Sequence, residues 1–191
     1  RAGQRVAICE KLEDPSKTKT LVKRGITEMV TPGVSLSESI LENRENNFLA
    51  SVHCDHSVVG VAFLDISTGE FFVAQGTVDY VEKLLNSFRP KEILYDRTQE
   101  QWFKETFYKD GLCVNKLDDW IFTIESARDK LIAQFETTSL KGFGVEEMTQ
   151  AVIAAGSILY YLDITEHKMT SHIRNLARLD QEDYVWLDKF T

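Results

Sequence analysis

The sequence predicts an α/β protein in which a three-stranded antiparallel meander is followed by β-α-β units and further helices. Three observations predict this fold class. Three β-rich runs follow residue 47 with connections of only three residues each. Helical and β-rich segments then alternate. A polar stretch over residues 35–47 separates them from two earlier β-rich runs, which we assign to an incomplete mixed α/β N-terminal domain.

The two early runs cover residues 5–9 and 21–30, and both are mostly extended in character. Glu13-Asp14-Pro15 ends the first run and Thr31-Pro32-Gly33 ends the second. We interpret them as two strands of a sheet whose other strands lie outside this sequence. Because the sequence opens at Arg1 without Met, we also expect it to be an excised piece of a longer protein.

The meander is predicted over residues 48–54, 58–66 and 70–75. Thr77 can cap a helix over residues 78–87, and Pro90 ends it. The remaining segments of this part give the order βββαβαβ: a strand over 91–96, an amphipathic helix over 98–108 and a strand over 112–117.

Two further helices follow. Thr123 with Ser126 opens one that ends near Phe135, with apolar residues on one face and charged residues on the other. A longer helix over residues 146–166 is apolar nearly all round at its centre, which indicates burial on most sides. The last stretch, residues 172–191, is predicted to begin another unit.

The charge of the chain is uneven. Its 191 residues carry a net charge of −8, which excludes a polycation that wraps DNA along its whole length. Residues 1–36 nevertheless carry a net charge of +3, which suggests a unit with different neighbours. Lys17, Lys19, Lys23 and Arg24 form a basic patch that could lie near a DNA backbone, or simply in a solvated loop.

The cysteines and the apolar runs indicate where in the cell the protein is located. Three widely spaced cysteines among apolar residues predict reduced thiols, no disulfide and a cytoplasmic protein. The longest apolar-rich run, residues 151–162, is too short to cross a bilayer, so we expect no membrane insertion.

Motifs for metal or nucleotide chemistry are incomplete. Gly142 and Gly144 lack the spacing and the lysine of a P-loop. His53-Cys54-Asp55-His56 holds four possible metal ligands, but on a strand they would alternate between two faces. We therefore predict no metal, no cofactor and no catalytic residue in this chain.

One enzymatic alternative stays open, namely a metal-dependent nuclease with a ribonuclease H-like fold. Asp55, Asp65 and Asp96 are its candidate carboxylates, because each stands at a strand end. The first strand of the meander, however, offers Leu49, Ala50, Ser51 and Val52 where such a site needs an acid. Asp65 and Asp96 are more typical of turn or cap residues.

A set of short motifs in a fixed order resembles the MutS family of DNA mismatch recognition ATPases. The matching segments are Val6-Ala7-Ile8-Cys9-Glu10, Glu13-Asp14-Pro15, Val22-Lys23-Arg24, Val30-Thr31-Pro32-Gly33, the run over residues 60–71, Pro90-Lys91-Glu92-Ile93-Leu94-Tyr95, Gly142-Phe143-Gly144, Ala154-Ala155-Gly156, Tyr161-Leu162 and His172-Ile173. Lys11 and Thr20 depart from the usual Gln and Gly of the family.

The resemblance implies three parts. Residues 1–33 would end the mismatch-binding domain, residues 34–170 would be the ribonuclease H-like, non-catalytic connector domain, and residues 171–191 would start the core or lever domain. The parent would be a cytoplasmic bacterial protein that acts at the nucleoid and binds mismatched duplex DNA as a homodimer. Its ATP and Mg²⁺ would bind a domain that this sequence lacks, as it also lacks the Phe-x-Glu motif that the family inserts beside a mismatch.

The resemblance also implies a partner. In this family the connector transmits conformational change and MutL docks partly on it. We expect the docking residues on the polar face of the helix over 123–135, at Arg128, Asp129 and Lys130, and at Asp163 and Glu166 of the following helix. The alternative is that these residues are ordinary solvated helix charges.

Overall fold

The computed structural model describes residues 6–11, 24–34, 47–167 and 170–180. Within them, strands β1 (Val6–Lys11) and β2 (Arg24–Val30) pair antiparallel in a two-stranded sheet of their own. The pairing of the two early β-rich runs is therefore confirmed. No helix in these described ranges has the length and apolar character that a bilayer crossing needs.

The predicted meander is also confirmed. Strands β3 (Phe48–Asp55), β4 (Val58–Asp65) and β5 (Phe71–Gly76) pair antiparallel in sequence order. The β4–β5 turn is tight because Asp65 Oδ1 accepts a hydrogen bond from Ser67 N at 2.9 Å. Gly69 adopts φ +79° there, and a Cβ on it would lie 2.9 Å from the His172 carbonyl oxygen, so this turn requires glycine.

Two parallel strands and one short edge strand complete a six-stranded sheet. Strands β6 (Glu92–Asp96) and β7 (Cys113–Leu117) extend it parallel to β3, and β8 (Ala177–Arg178) pairs parallel with β5, giving the order β7-β6-β3-β4-β5-β8. This is the predicted ribonuclease H-like arrangement of a meander followed by β-α-β units. The predicted limits of the three domains remain predictions, although residues 177–178 hydrogen-bond to the sheet itself.

Within the described ranges, four helices cover the sheet: α1 (Val78–Phe88), α2 (Glu100–Thr106), α3 (Ile124–Phe135) and α4 (Thr149–Ile164). Thr77 and Thr123 cap α1 and α3 as predicted, accepting from Tyr80 N and Ser126 N. Two helices are shorter than predicted. Before α2, Asp96 accepts from Thr98 N and residues 97–99 form a 3-10 turn. Before α4, residues 141–143 form a 3-10 turn at Gly142 and Gly144, and Met148 N bonds to Val145 O.

The sheet has an apolar core on each side. Because side chains alternate along a strand, Leu49 and Leu94 face α3 and α4, while Ala50 and Ile93 face α1 and α2. Helix α4 is buried on nearly every side, as its composition predicts. This leaves the outer side of α3 and the C-terminal end of α4 as helical surface on that layer.

Candidate functional site

Helices α3 and α4 pack so closely that their outward residues form one surface. A Cβ on Gly156 of α4 would lie 2.4 Å from the Ala127 Cα of α3, so only glycine permits this crossing. Ala127 and Leu131 are buried on the inner side of α3. The side chains on the other side of both helices therefore have fixed relative positions.

An aromatic and aliphatic patch occupies this surface. Trp120, in the 3-10 turn before α3, contacts the ring of Tyr160 edge-on with centroids 5.4 Å apart. Ile164 lies one helical turn beyond Tyr160 on α4. Trp120 and Ile164 are 54% and 50% exposed, the two highest values for large apolar side chains among the described residues. Exposed apolar groups that cluster in this way are typical of interaction sites.

A charge pair borders the patch. Lys130 Nζ lies 5.2 Å from the centroid of the Tyr160 ring, within the range of a cation–π contact, and forms an ion pair with Asp163. We define the Trp120 surface as Trp120, Lys130, Tyr160, Asp163 and Ile164. Its apolar centre and charged border resemble the usual anatomy of a protein–protein interface.

The five predicted docking residues occupy different settings. Lys130 and Asp163 meet across the two helices, and Asp129 is exposed on α3. Arg128 is half-buried and donates to the Glu146 carbonyl oxygen at 3.2 Å, so it braces the loop before α4. Glu166 follows the end of α4 with φ +59° and lines a small cavity with Asp163.

Sequence patterns do not single out Trp120, Tyr160 or Ile164. Periodicity alone assigns Tyr160 and Ile164 to a helix that is otherwise core, and Trp120 stands outside any helical pattern. The one available signal was an aromatic residue directly after two acids, Asp118 and Asp119, which is a polar setting for a tryptophan.

The three nuclease candidates do not form one site, because Asp55 and Asp96 lie at the far end of β3 and Asp65 lies at its start. Asp65 is aligned with Phe48 at the start of β3, whereas the β6 register aligns Asp96 with the far end of β3, next to His53. Five residues along a strand separate the two positions by roughly 17 Å, but two-metal sites hold their ions about 4 Å apart. Both aspartates act instead as turn and cap residues, as the sequence favours.

Two family models match this chain. The model of MutS domain II matches residues 47–174, which is more than half of the chain, and the model of MutS domain I matches residues 1–39.

The chain belongs to the MutS family. Over its full length it is 58% identical to the DNA mismatch repair protein MutS of Bacteroides fragilis, and 56% identical to those of Parabacteroides distasonis and Porphyromonas gingivalis. It spans 21–22% of the length of these relatives. Among solved structures, the Fowlpox virus resolvase in complex with Holliday junction DNA aligns with 60% of this chain at 13% identity and a TM-score of 0.40.

In this MutS-family chain the predicted metal-capable run has other roles. His53 Nδ1 lies 2.6 Å from Gln150 Oε1, and the ring stacks on Phe122. Burial lowers the pKa of His53, against smaller opposing effects of Gln150 and of the carboxylates Asp96 and Asp55. Among the described residues, no three His, Cys, Asp or Glu side chains converge as a metal ion requires.

The thiol in the same run has an ordinary environment for a structural cysteine. Cys54 Sγ donates to the His56 carbonyl oxygen at 3.4 Å. Burial is the main cause of a raised pKa of Cys54, and the neighbouring Asp55 adds to it. A thiol with a raised pKa is a weak nucleophile at neutral pH, so this position does not have the chemistry of a catalytic cysteine.

The predicted basic patch is placed only in part. Arg24 begins β2 and is paired in register with Lys11 of β1. Lys17, Lys19 and Lys23 lie outside the described residues. Their proximity to DNA stays a prediction from charge.

Proposed function

We propose that this chain is a non-catalytic part of a MutS mismatch repair protein. In this proposal the unit over residues 47–174 is a connector that transmits conformational change between the mismatch-binding and ATPase domains. It also offers the Trp120 surface to MutL. The observation that carries the docking role is the pair of half-exposed apolar side chains, Trp120 and Ile164, placed together on the rigid α3–α4 layer.

The chemistry of the Trp120 surface supports docking over a solvated helix face. Tryptophan is among the residues that most often dominate binding energy at interfaces, because a single side chain removes a large apolar area from water. Tyr160 holds the indole from one side, so little side-chain entropy is lost on binding. Lys130 and Asp163 neutralise one another and would serve orientation more than affinity.

The wider activity belongs to the whole protein and is part of the same proposal. The curated relatives are named DNA mismatch repair proteins. We infer that the parent binds mismatched duplex DNA as a homodimer in the bacterial cytoplasm, and that ATP and Mg²⁺ bind a domain other than this one. Lys17, Lys19, Lys23 and Arg24 would then lie near the DNA backbone, where ammonium and guanidinium groups displace counterions.

The separation of Asp65 from Asp96 supports a non-catalytic role for the connector. Phosphodiester cleavage by two metal ions needs carboxylates that bridge both ions. With these aspartates at opposite ends of β3, and with Leu49, Ala50, Ser51 and Val52 where an acid would be needed, the sheet offers no such bridge among the described residues.

The test is a titration of this chain against the N-terminal domain of MutL in moderate salt. Trp120→Ala should weaken binding about thirtyfold or more, because removal of a central interface aromatic costs about 2 kcal/mol or more. Tyr108→Ala is the matched control, since Tyr108 is an exposed aromatic on the opposite side of the sheet, after α2. Unchanged affinity of Trp120→Ala, or equal loss in Tyr108→Ala, would contradict the proposal.

The triple change of Arg128, Asp129 and Lys130 to alanine separates the apolar and charged contributions. We expect it to change the salt dependence of binding more than the affinity at moderate salt, because rim charges mainly influence association. Folding of every variant is checked by circular dichroism before titration, since Arg128 also holds the Glu146 carbonyl.

A further inference from the structure

The segment Thr31–Val34 lies in the core of the unit that follows it. These residues come directly after β2 and fall within the match to MutS domain I. Thr31, Gly33 and Val34 are nevertheless buried, and Val34 belongs to the apolar core that contains Leu49 of β3. A Cβ on Gly33 would lie 2.9 Å from the Glu92 Cβ, so the backbone passes as close to β6 as glycine allows.

The carboxylate of Glu92 holds this segment from the β6 side. Glu92 is fully buried, and its Oε2 accepts a hydrogen bond from Gly33 N at 2.9 Å. Its Oε1 accepts from Tyr161 Oη of α4 at 2.6 Å and from Asn115 Nδ2 of β7. One side chain thus joins the segment to two strands and a helix. Because every one of these partners donates, both oxygens must act as acceptors.

His167 forms a second polar contact with the same segment. Its Nε2 lies 3.1 Å from the Val34 carbonyl oxygen, which can only accept, so this nitrogen carries the proton. His167 is buried three residues after the end of α4, and its Nδ1 lies 3.0 Å from Thr165 Oγ1. The segment is therefore connected to α4 through Glu92 and its bond to Tyr161, and to the residues directly after α4 through His167.

We propose that Thr31–Val34 is a clasp by which the connector core fixes the end of the preceding domain. Val30 ends β2 and the clasp begins at the next residue, so a displacement of β2 is passed to the sheet and to α4. The displacement reaches Tyr161 of α4, whose neighbour in the sequence, Tyr160, belongs to the Trp120 surface. Glu92 is a positioning residue in this arrangement. Only this last link, from the clasp to docking, rests on the proposed function.

Glu92→Gln tests the clasp with little change in shape. The glutamine has one acceptor oxygen, and the donor groups of Tyr161 and Asn115 would both hydrogen-bond to it. Its NH₂ group would then face the N–H of Gly33, donor against donor. We expect amide exchange at Gly33 to accelerate at least tenfold relative to the β4 amides of Ala62 and Leu64, measured by NMR on the 191-residue chain.

Two comparisons accompany this test: a second variant, and the unaltered chain itself. Tyr161→Phe removes one donor from Glu92 Oε1 but leaves Oε2 bonded to Gly33 N. The ratio of the amide exchange rate at Gly33 to the rates at Ala62 and Leu64 should therefore not change. In the unaltered chain, Gly33 should exchange as slowly as Ala62 and Leu64. This second comparison needs no variant and remains decisive if Glu92→Gln fails to fold.

Exchange at Gly33 that is orders of magnitude faster than in β4 in the unaltered chain, or unchanged in Glu92→Gln, would overturn the clasp. Trp120→Ala should leave Gly33 exchange unchanged, so loss of docking and loss of the clasp are distinguishable. A clasp that persists while Trp120→Ala binds MutL normally would refute the proposed docking surface alone.

Discussion

Buried polar residues on the α4 side of the sheet fix the position of that helix. Ser51 Oγ lies 2.6 Å from Ser157 Oγ, His53 pairs with Gln150, and Glu92 pairs with Tyr161. Each pair joins a strand residue to α4. A slip of the helix along the sheet would leave several buried polar groups unpaired, at a cost of about 1–3 kcal/mol each. These contacts therefore specify one packing where apolar contacts alone would tolerate several.

His53 should make stability depend on pH. Burial holds its pKa in the folded state below the value in the unfolded chain, which is about 6.5. As the pH falls below that value, the unfolded state takes up the proton first, so the free energy of unfolding decreases. The decrease stops once the folded state is protonated as well.

Urea unfolding between pH 7.5 and pH 5 measures this effect. His53→Gln should remove the part of the pH dependence that His53 contributes. His56→Gln is the matched control, because the side chain of His56 is almost fully exposed. An identical pH profile for His53→Gln and the unaltered chain would contradict the assignment.

Sequence patterns could identify the buried residues but not these pairings. The alternation of β3 places His53 and Ser51 on one face, yet their partners are about a hundred residues away along the chain. The same holds for Glu92 and Gly33, which are 59 residues apart. Asp65 and Asp96 were predictable as cap residues, because their donors lie two residues further along the chain.

The N-terminus of α4 approaches the sheet very closely at Gly60. A Cβ on Gly60 of β4 would lie 2.0 Å from the Gln150 carbonyl carbon, and backbone atoms cannot move aside as a flexible side chain does. Gln75 of β5 accepts from Gln150 N at 2.8 Å and from Ala151 N, which caps the helix. This close contact and the cap explain why α4 begins at Thr149 and not at residue 146.

Gly60→Ala should destabilise the fold by about 1–3 kcal/mol or more, because α4 must shift to admit the methyl group. Chemical denaturation gives this value directly. Gly142→Ala is the control, since a Cβ there would meet nothing within 4 Å, and it should be neutral or slightly stabilising. Equal effects of the two substitutions would refute the close packing of α4 on β4.

Local signals account for the elements that were predicted well. Thr77, Thr123 and Pro90 mark helix ends by short-range chemistry, and the meander follows from alternation and short turns. Strand β8 was not predictable in this way. It has two residues, and its pairing with Phe72 and Val73 depends on chain more than a hundred residues earlier.

The clasp and the Trp120 surface share helix α4. The clasp reaches this helix through Tyr161, and the Trp120 surface includes Tyr160 and Ile164. A buried helix held by polar contacts at both ends transmits a displacement as a rigid element. Sequence resemblance predicted a connector, but the exposed Trp120 and the buried Thr31–Val34 depend on tertiary packing that no local pattern encodes.

Docking of MutL on the Trp120 surface can be tested by hydrogen exchange of this chain with and without the N-terminal domain of MutL. Binding at the Trp120 surface predicts slower exchange in residues 119–122, along α3 and in the C-terminal half of α4, with α1 and α2 unchanged. Slower exchange confined to α1 and α2, on the other side of the sheet, would contradict docking on the Trp120 surface.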